Sequence, residues 1–249
     1  MNTVKDLLQS GKTAIGASAS VGTDVGFLAD SGYDFLLFDT QHSPVEIKEL
    51  RPQLQAMRGK NAIPIVRVGE NRADQICYAL DIGAKGIIVP MVNTKAEAAD
   101  MVQWCKYPFA GVRSSAGMRG EWGKFENYRE YMDAVNEQLL VIPMIETVEA
   151  LDNLDEILSV PGIDILLIGP SDLSINLDVT LDYPNPKYQA ALDKIAAACA
   201  NAGVVPGMYF IPPDMEPSHF MAKGFRFFTL PWNGWATEGV QNGLAGVRG

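Results

Sequence analysis

Eight short apolar runs, each rich in β-branched, aliphatic or aromatic residues, recur along the 249-residue chain. They are TAIGASAS (13–20), DFLLFDT (34–40), AIPIVRV (62–68), GIIVPMV (86–92), QLLVIPMIE (138–146), IDILLIGP (163–170), VVPGMYF (204–210) and FRFFTLP (225–231). Most are apolar at every position rather than at every second one, which is the pattern of parallel strands covered on both faces. Helical segments lie between them, for example 45–59, 72–84, 94–107 and 147–160. Helix-start residues stand at several junctions, at Thr23, at Asn93 or Thr94, and at Thr147. Glycines in SGYDF, IGAKG, NAGVV and AKGFRF end a helix just before a strand begins. Eight β–α units without a composition break predict an α/β fold, a single (β/α)8 TIM barrel over residues 1–249. A doubly wound open sheet is the alternative, disfavoured by the lack of GxGxxG after the first run and by the even unit count. One insertion stands out, a long loop at about 107–137. In a compact domain a loop of that length is functional or partly helical.

Composition narrows the partners. A net charge of −10 argues against nucleic acid, since phosphate binding needs clustered Lys and Arg. No apolar segment approaches the length of a membrane span, and the N-terminal MNTVKDLLQSGK reads as an amphipathic first helix, so a cytoplasmic location is expected. Cys77, Cys105 and Cys199 are widely spaced and form no CxxC pair, which suits packed free thiols.

In such a barrel, chemistry belongs at the C-terminal ends of the strands. Asp39 ends the second run with His42 just beyond it, Arg67 ends the third, Glu146 ends the fifth, and the sixth leads through GPSDLS into Asp172. Glu146 and Asp172, on neighbouring strands, can share a proton or bind a cation, and an oxygen-only pair favours a hard divalent ion such as Mg²⁺ or Mn²⁺. Asp172 also reads as a helix cap and Glu146 as half of a rim salt bridge. The GPSD turn could offer backbone N–H groups to a carboxylate. His42 could be a general base or acid oriented by Asp39, or a hydrogen-bonded structural histidine. Arg67 could steady an enolate oxygen, or form a buried ion pair with Glu70 or Asp39. His219 falls in a predicted helix and reads as surface. No predicted strand holds a lysine, so an imine mechanism is not expected.

The ordered motifs DFLLFDTQHSP, PIVRV, GAKGIIVPMV, YPFAGVRS, IET and GPSDLS resemble those of the HpcH/HpaI family, the metal-dependent class II pyruvate aldolases, over nearly the whole chain. The resemblance implies a divalent metal ion (Mg²⁺, Mn²⁺ or Co²⁺) held by Glu146 and Asp172, with pyruvate chelating it. It implies that Gly169 and Ser171 bind the pyruvate carboxylate and that Arg67 stabilises the enolate. Proton transfer would fall to His42 with Asp39 through water, and Arg113 matches a substrate-binding arginine of the long loop. It further implies a homo-oligomer, a hexamer. Two positions depart from the family pattern: Gln41 stands where Glu is frequent, and Met144 where Gln is frequent.

The expected reaction is cleavage of a 4-hydroxy-2-oxo acid to pyruvate and an aldehyde, with the reverse addition. Decarboxylation of oxaloacetate through the same enolate is the alternative. A lyase of CoA thioesters lacks a basic cluster for the CoA phosphates, and a non-catalytic binding barrel would have no need of five polar residues at strand ends.

Overall fold

The apolar runs become strands in a computed structural model, which describes residues 2–248. These are β1 (Ala14–Ala19), β2 (Phe35–Asp39), β3 (Ile63–Arg67), β4 (Gly86–Val89), β5 (Leu140–Ile145), β6 (Ile165–Ile168), β7 (Val205–Met208) and β8 (Phe227–Thr229). They form a closed barrel in chain order, every neighbour parallel, and β8 closes on β1 through Ala14 opposite Phe227 and Gly16 opposite Thr229.

Alternation along the strands divides the apolar residues between two cores. One face fills the barrel interior with Phe35, Leu37, Ile65, Ile142, Leu167 and Phe227 among others. The other, carrying Leu36, Phe38, Val66, Ile87 and Leu166, packs against the surrounding helices. That double burial explains why the runs are apolar at every position. The floor of the interior is a stacked pair, Phe35 on Phe227, with ring centroids 4.3 Å apart and planes 7° from parallel. Two glycines make room for it: a Cβ at Gly16 would lie 2.2 Å from the Phe35 ring, and one at Gly207 would lie 3.0 Å from Phe227.

Local signals set the helix ends. Thr94 and Thr147 cap their helices by accepting the backbone N–H of Glu97 and Ala150, and Glu97 returns a bond to complete a capping box. At the first junction the cap is Asp24 rather than Thr23, whose hydroxyl instead accepts the Ser20 N–H. Gly83 and Gly203 follow helix ends with φ of +116° and +69°, a conformation a side chain would resist. Cys105 and Cys199 are buried, and burial pushes both thiols up to about 12.

The long insertion resolves into an irregular stretch followed by the helix Tyr128–Gln138. It stacks Trp122 on Lys85, which precedes β4, and ties Arg113 to Asp81 at the end of the helix Ala73–Asp81. The loop therefore covers the N-terminal end of the barrel, opposite the end where the strands finish. The reason is topological: it joins a helix to the next strand, and such connections emerge at that end.

The last helix, Asn233–Arg248, behaves unlike the others. None of its residues is buried, and Trp235, Val240, Leu244 and Val247 are exposed. Phe27 and Met221, on the helices Val25–Leu28 and Pro217–Ala222 that flank the β8–β1 seam, are exposed as well. Among the described residues no helix is long and apolar enough to cross a membrane.

Candidate active site

Continuing each strand's inward alternation to its C-terminal end yields a final interior layer of Ser18, Asp39, Arg67, Glu146, Gly169, Tyr209 and Thr229. Four of these belong to the residues expected from the sequence; Ser18, Tyr209 and Thr229 do not.

Asp39 and Arg67 are register partners on β2 and β3. Arg67 donates from Nε to Asp39 Oδ1 at 2.8 Å and from Nη2 to Oδ2 at 2.6 Å, a two-pronged ion pair whose arginine is 3 % exposed. Burial opposes the Asp39 charge. The Arg67 hydrogen bond and charge, with the backbone N–H groups of Gln41 and His42, outweigh it and hold the carboxyl below its ordinary value. The guanidinium face lies 4.1 Å from the centre of the Tyr209 ring. Nη1 meets only the Met144 sulfur, at 3.9 Å, a weak acceptor. So Arg67 is fixed along one edge and one face, and its remaining edge has no oxygen partner in the protein.

Glu146 is 2 % exposed. Its Oε2 accepts the N–H of Met91 at 2.9 Å, and Met91 holds φ at +54° to deliver it, a strained backbone placed at a site. Burial pushes the Glu146 carboxyl upward; the Met91 N–H opposes this, the negative charge of Asp172 adds to it, and Arg67 and His42 oppose it. Gly169 lies directly beneath: a Cβ there would sit 2.2 Å from Glu146 Oε1. That glycine serves the site by its missing side chain, since its N–H already bonds to Ile145 O at 3.4 Å. It caps the helix Pro170–Asn176, where proline has no N–H, so the first-turn donors of GPSD are those of Ser171 and Asp172. Ser171 Oγ is 3.5 Å from the Tyr183 hydroxyl, and Asp172 is exposed.

Glu146 and Asp172, charge-coupled and presenting oxygen only, fit a hard divalent cation: the ion would relieve a repulsion that burial makes worse. Among the described residues no group of three or more His, Cys, Asp or Glu converges, so the protein's share would be these two and the other positions would go to water or substrate.

His42 is exposed at the rim, and among the described residues nothing hydrogen-bonds its ring. Asp39 does not orient it. That carboxylate is taken by Arg67 and by backbone N–H groups, the Gln41 bond being 2.9 Å. Arg113 is not brought to the mouth: it is 5 % exposed, bonded to Asp81 at 2.9 Å and set 4.4 Å from the Tyr107 ring centre. His219 is half-buried rather than on the surface, its Nε2 2.8 Å from Gln189 Oε1. Arg67's partner is Asp39, not Glu70. Tyr209 and Thr229 were open to a period-two count, two residues on from Gly207 and from Phe227; the turn-like composition of YFIPP hides the first.

A family model described as HpcH/HpaI aldolase/citrate lyase matches residues 18–237. The chain belongs to that family. Among curated members of the HpcH/HpaI family, it is 37% identical over 234 residues to a 2-keto-3-deoxy-L-rhamnonate aldolase of Escherichia coli K12, covering 92% of this chain and 86% of that protein. A crystal structure of an HpcH/HpaI aldolase/citrate lyase family protein from Burkholderia cenocepacia J2315 shares 29% identity over the full length of both chains, with a TM-score of 0.86. An HpcH/HpaI aldolase from Desulfitobacterium hafniense DCB-2 has the same fold at 24% identity, with a TM-score of 0.87, over 98% of this chain and 96% of that one. Membership makes the chain a carbon–carbon lyase of the aldolase type.

Proposed function

We propose that this enzyme cleaves 4-hydroxy-2-oxo acids to pyruvate and an aldehyde, and runs the same step in reverse, with a divalent metal ion held by Glu146 and Asp172. The observation that carries this reading is the buried Arg67 guanidinium, fixed by Asp39 and Tyr209, whose free edge adjoins Met144.

In the cleavage direction the 4-hydroxyl loses its proton, the C3–C4 bond breaks, and its electron pair moves onto C3 and the 2-oxo oxygen. The C4 fragment leaves as an aldehyde, and protonation of C3 gives pyruvate. Negative charge therefore gathers at the 2-oxo oxygen, where the Arg67 edge can donate without rearranging. Asp39 keeps the guanidinium in that pose. The first-turn N–H groups of Ser171 and Asp172 suit the substrate carboxylate. Exposed at the rim, His42 can take the 4-hydroxyl proton through a water. A divalent cation would supply Lewis acidity at the 2-oxo group. No lysine belongs to the interior layer, which favours this route over an imine.

The test is exchange of the pyruvate methyl protons in deuterated water with Mg²⁺, Mn²⁺ or Co²⁺ added. Exchange should be rapid, stop in chelator, and fall about 10²–10³-fold in Arg67→Ala. Exchange at the wild-type rate in that variant would remove Arg67 from the enolate, and none in the wild type would sink the aldolase reading.

A further inference from the structure

The Thr229 hydroxyl is the interior polar group at the mouth that neither the fold nor the reaction above uses. Thr229 ends β8, is 5 % exposed, and its Oγ1 has no hydrogen-bond partner in the protein. A buried hydroxyl without a partner is costly and rare, and it points to something that binds there. It lines a cavity of about 310 Å³ at the β7–β8–β1 corner of the mouth, together with Ser18, Tyr209, Ile211, Leu230 and Trp232. The cavity adjoins the reacting centre directly, because the Tyr209 ring that lines it also lies against Arg67. Its outer wall is tied in place by the Trp232 Nε1–H, which donates to Ser18 O at 3.0 Å. No residue lining it carries a charge.

We infer that this corner receives the aldehyde half of the substrate and that Thr229 is a specificity-determining residue, selecting uncharged aldehydes that carry a hydroxyl. This deepens the aldolase reading and rests on it. A hydroxyl on the aldehyde can pair with Thr229 Oγ1, and with Ser18 nearer the solvent, while the rings of Tyr209 and Trp232 and the side chains of Ile211 and Leu230 cover its carbons. An aldehyde ending in a carboxylate would bring a charge into a wall that offers no cation, and a plain alkyl aldehyde would leave the hydroxyl unpaired.

The experiment compares kcat/KM for addition of pyruvate to three aldehydes: a three-carbon 2-hydroxyaldehyde, the alkyl aldehyde of equal length, and a four-carbon aldehyde ending in a carboxylate. The wild type should favour the first by about tenfold or more over the second, with the carboxylated one used least. Thr229→Val keeps the shape and removes the hydroxyl, so it should bring the first two to within about threefold, whereas Thr229→Ser should retain the preference. A preference that survives in Thr229→Val, or equal use of the carboxylated aldehyde by the wild type, would overturn the assignment. Pyruvate proton exchange in the wild type needs no aldehyde and separates the two readings. Exchange without the predicted preference defeats this inference alone; no exchange defeats the aldolase reading and this inference with it.

Discussion

Asp39 holds the edge of Arg67, and the carboxyl of Asp39 is kept below its ordinary value of 3.8 despite its burial. A carboxylate lowered in the folded state adds stability that is present above its unfolded value and is lost as pH falls through its folded value. Asp39→Asn should therefore be less stable than the wild type at neutral pH, and the gap should close as pH drops below 3.8. Urea titrations across that range measure it; a gap of constant size would mean that the ion pair contributes nothing. His42 calls for a different test, since it has no partner in the protein to orient it. His42→Ala should lose aldol cleavage by about 10²–10⁴-fold. Oxaloacetate decarboxylation forms the same enolate without a 4-hydroxyl proton to move, so it should fall less. Equal loss of both activities, with metal still bound, would make His42 a structural residue.

At the level of strands and helices, small residues on one strand are matched to large ones on the next. Phe35 and Phe227 stack because Gly16 and Gly207 give them space. Phe35→Ala should cost about 3–5 kcal/mol, read from chemical unfolding, because the pair lies in an interior that cannot collapse around the gap. A loss under about 1 kcal/mol would mean that the barrel floor can repack. The strand count, the barrel and the positions of Asp39, Arg67 and Glu146 were legible in the sequence, since apolar runs fix strands and strand ends fix the mouth. What a side chain bonds to was not. Whether Asp39 faces Arg67 or His42 depends on register between strands far apart in sequence, and TQHSP gives no sign of it. The 107–137 loop was legible as an insertion, and its place followed from being a helix-to-strand connection; family resemblance instead drew Arg113 toward the substrate. Thr229 was hidden by the shortness of β8, three residues ending in an ordinary-looking FFT.

On the scale of the whole molecule, the helix Asn233–Arg248 carries an apolar stripe that the chain itself leaves uncovered, while Phe27 and Met221 beside the β8–β1 seam are bare. Isolated helices of this length are marginal in water, so this one needs a surface to rest on. We expect the chain to be a homo-oligomer in solution, with this helix at the contact between copies. Light scattering or sedimentation would read the mass, and a stop codon after Trp232 should lower both the mass and the melting temperature. A truncated chain that kept the full-length mass would exclude the helix from the contact. If the helix of one copy completes the barrel of another, folding and association are one equilibrium. The melting temperature would then rise with protein concentration, and activity lost on dilution would return on reconcentration. Co-expressing the truncated chain would also drain intact subunits into mixed assemblies, so that shortened copies would weaken full-length ones that carry no defect.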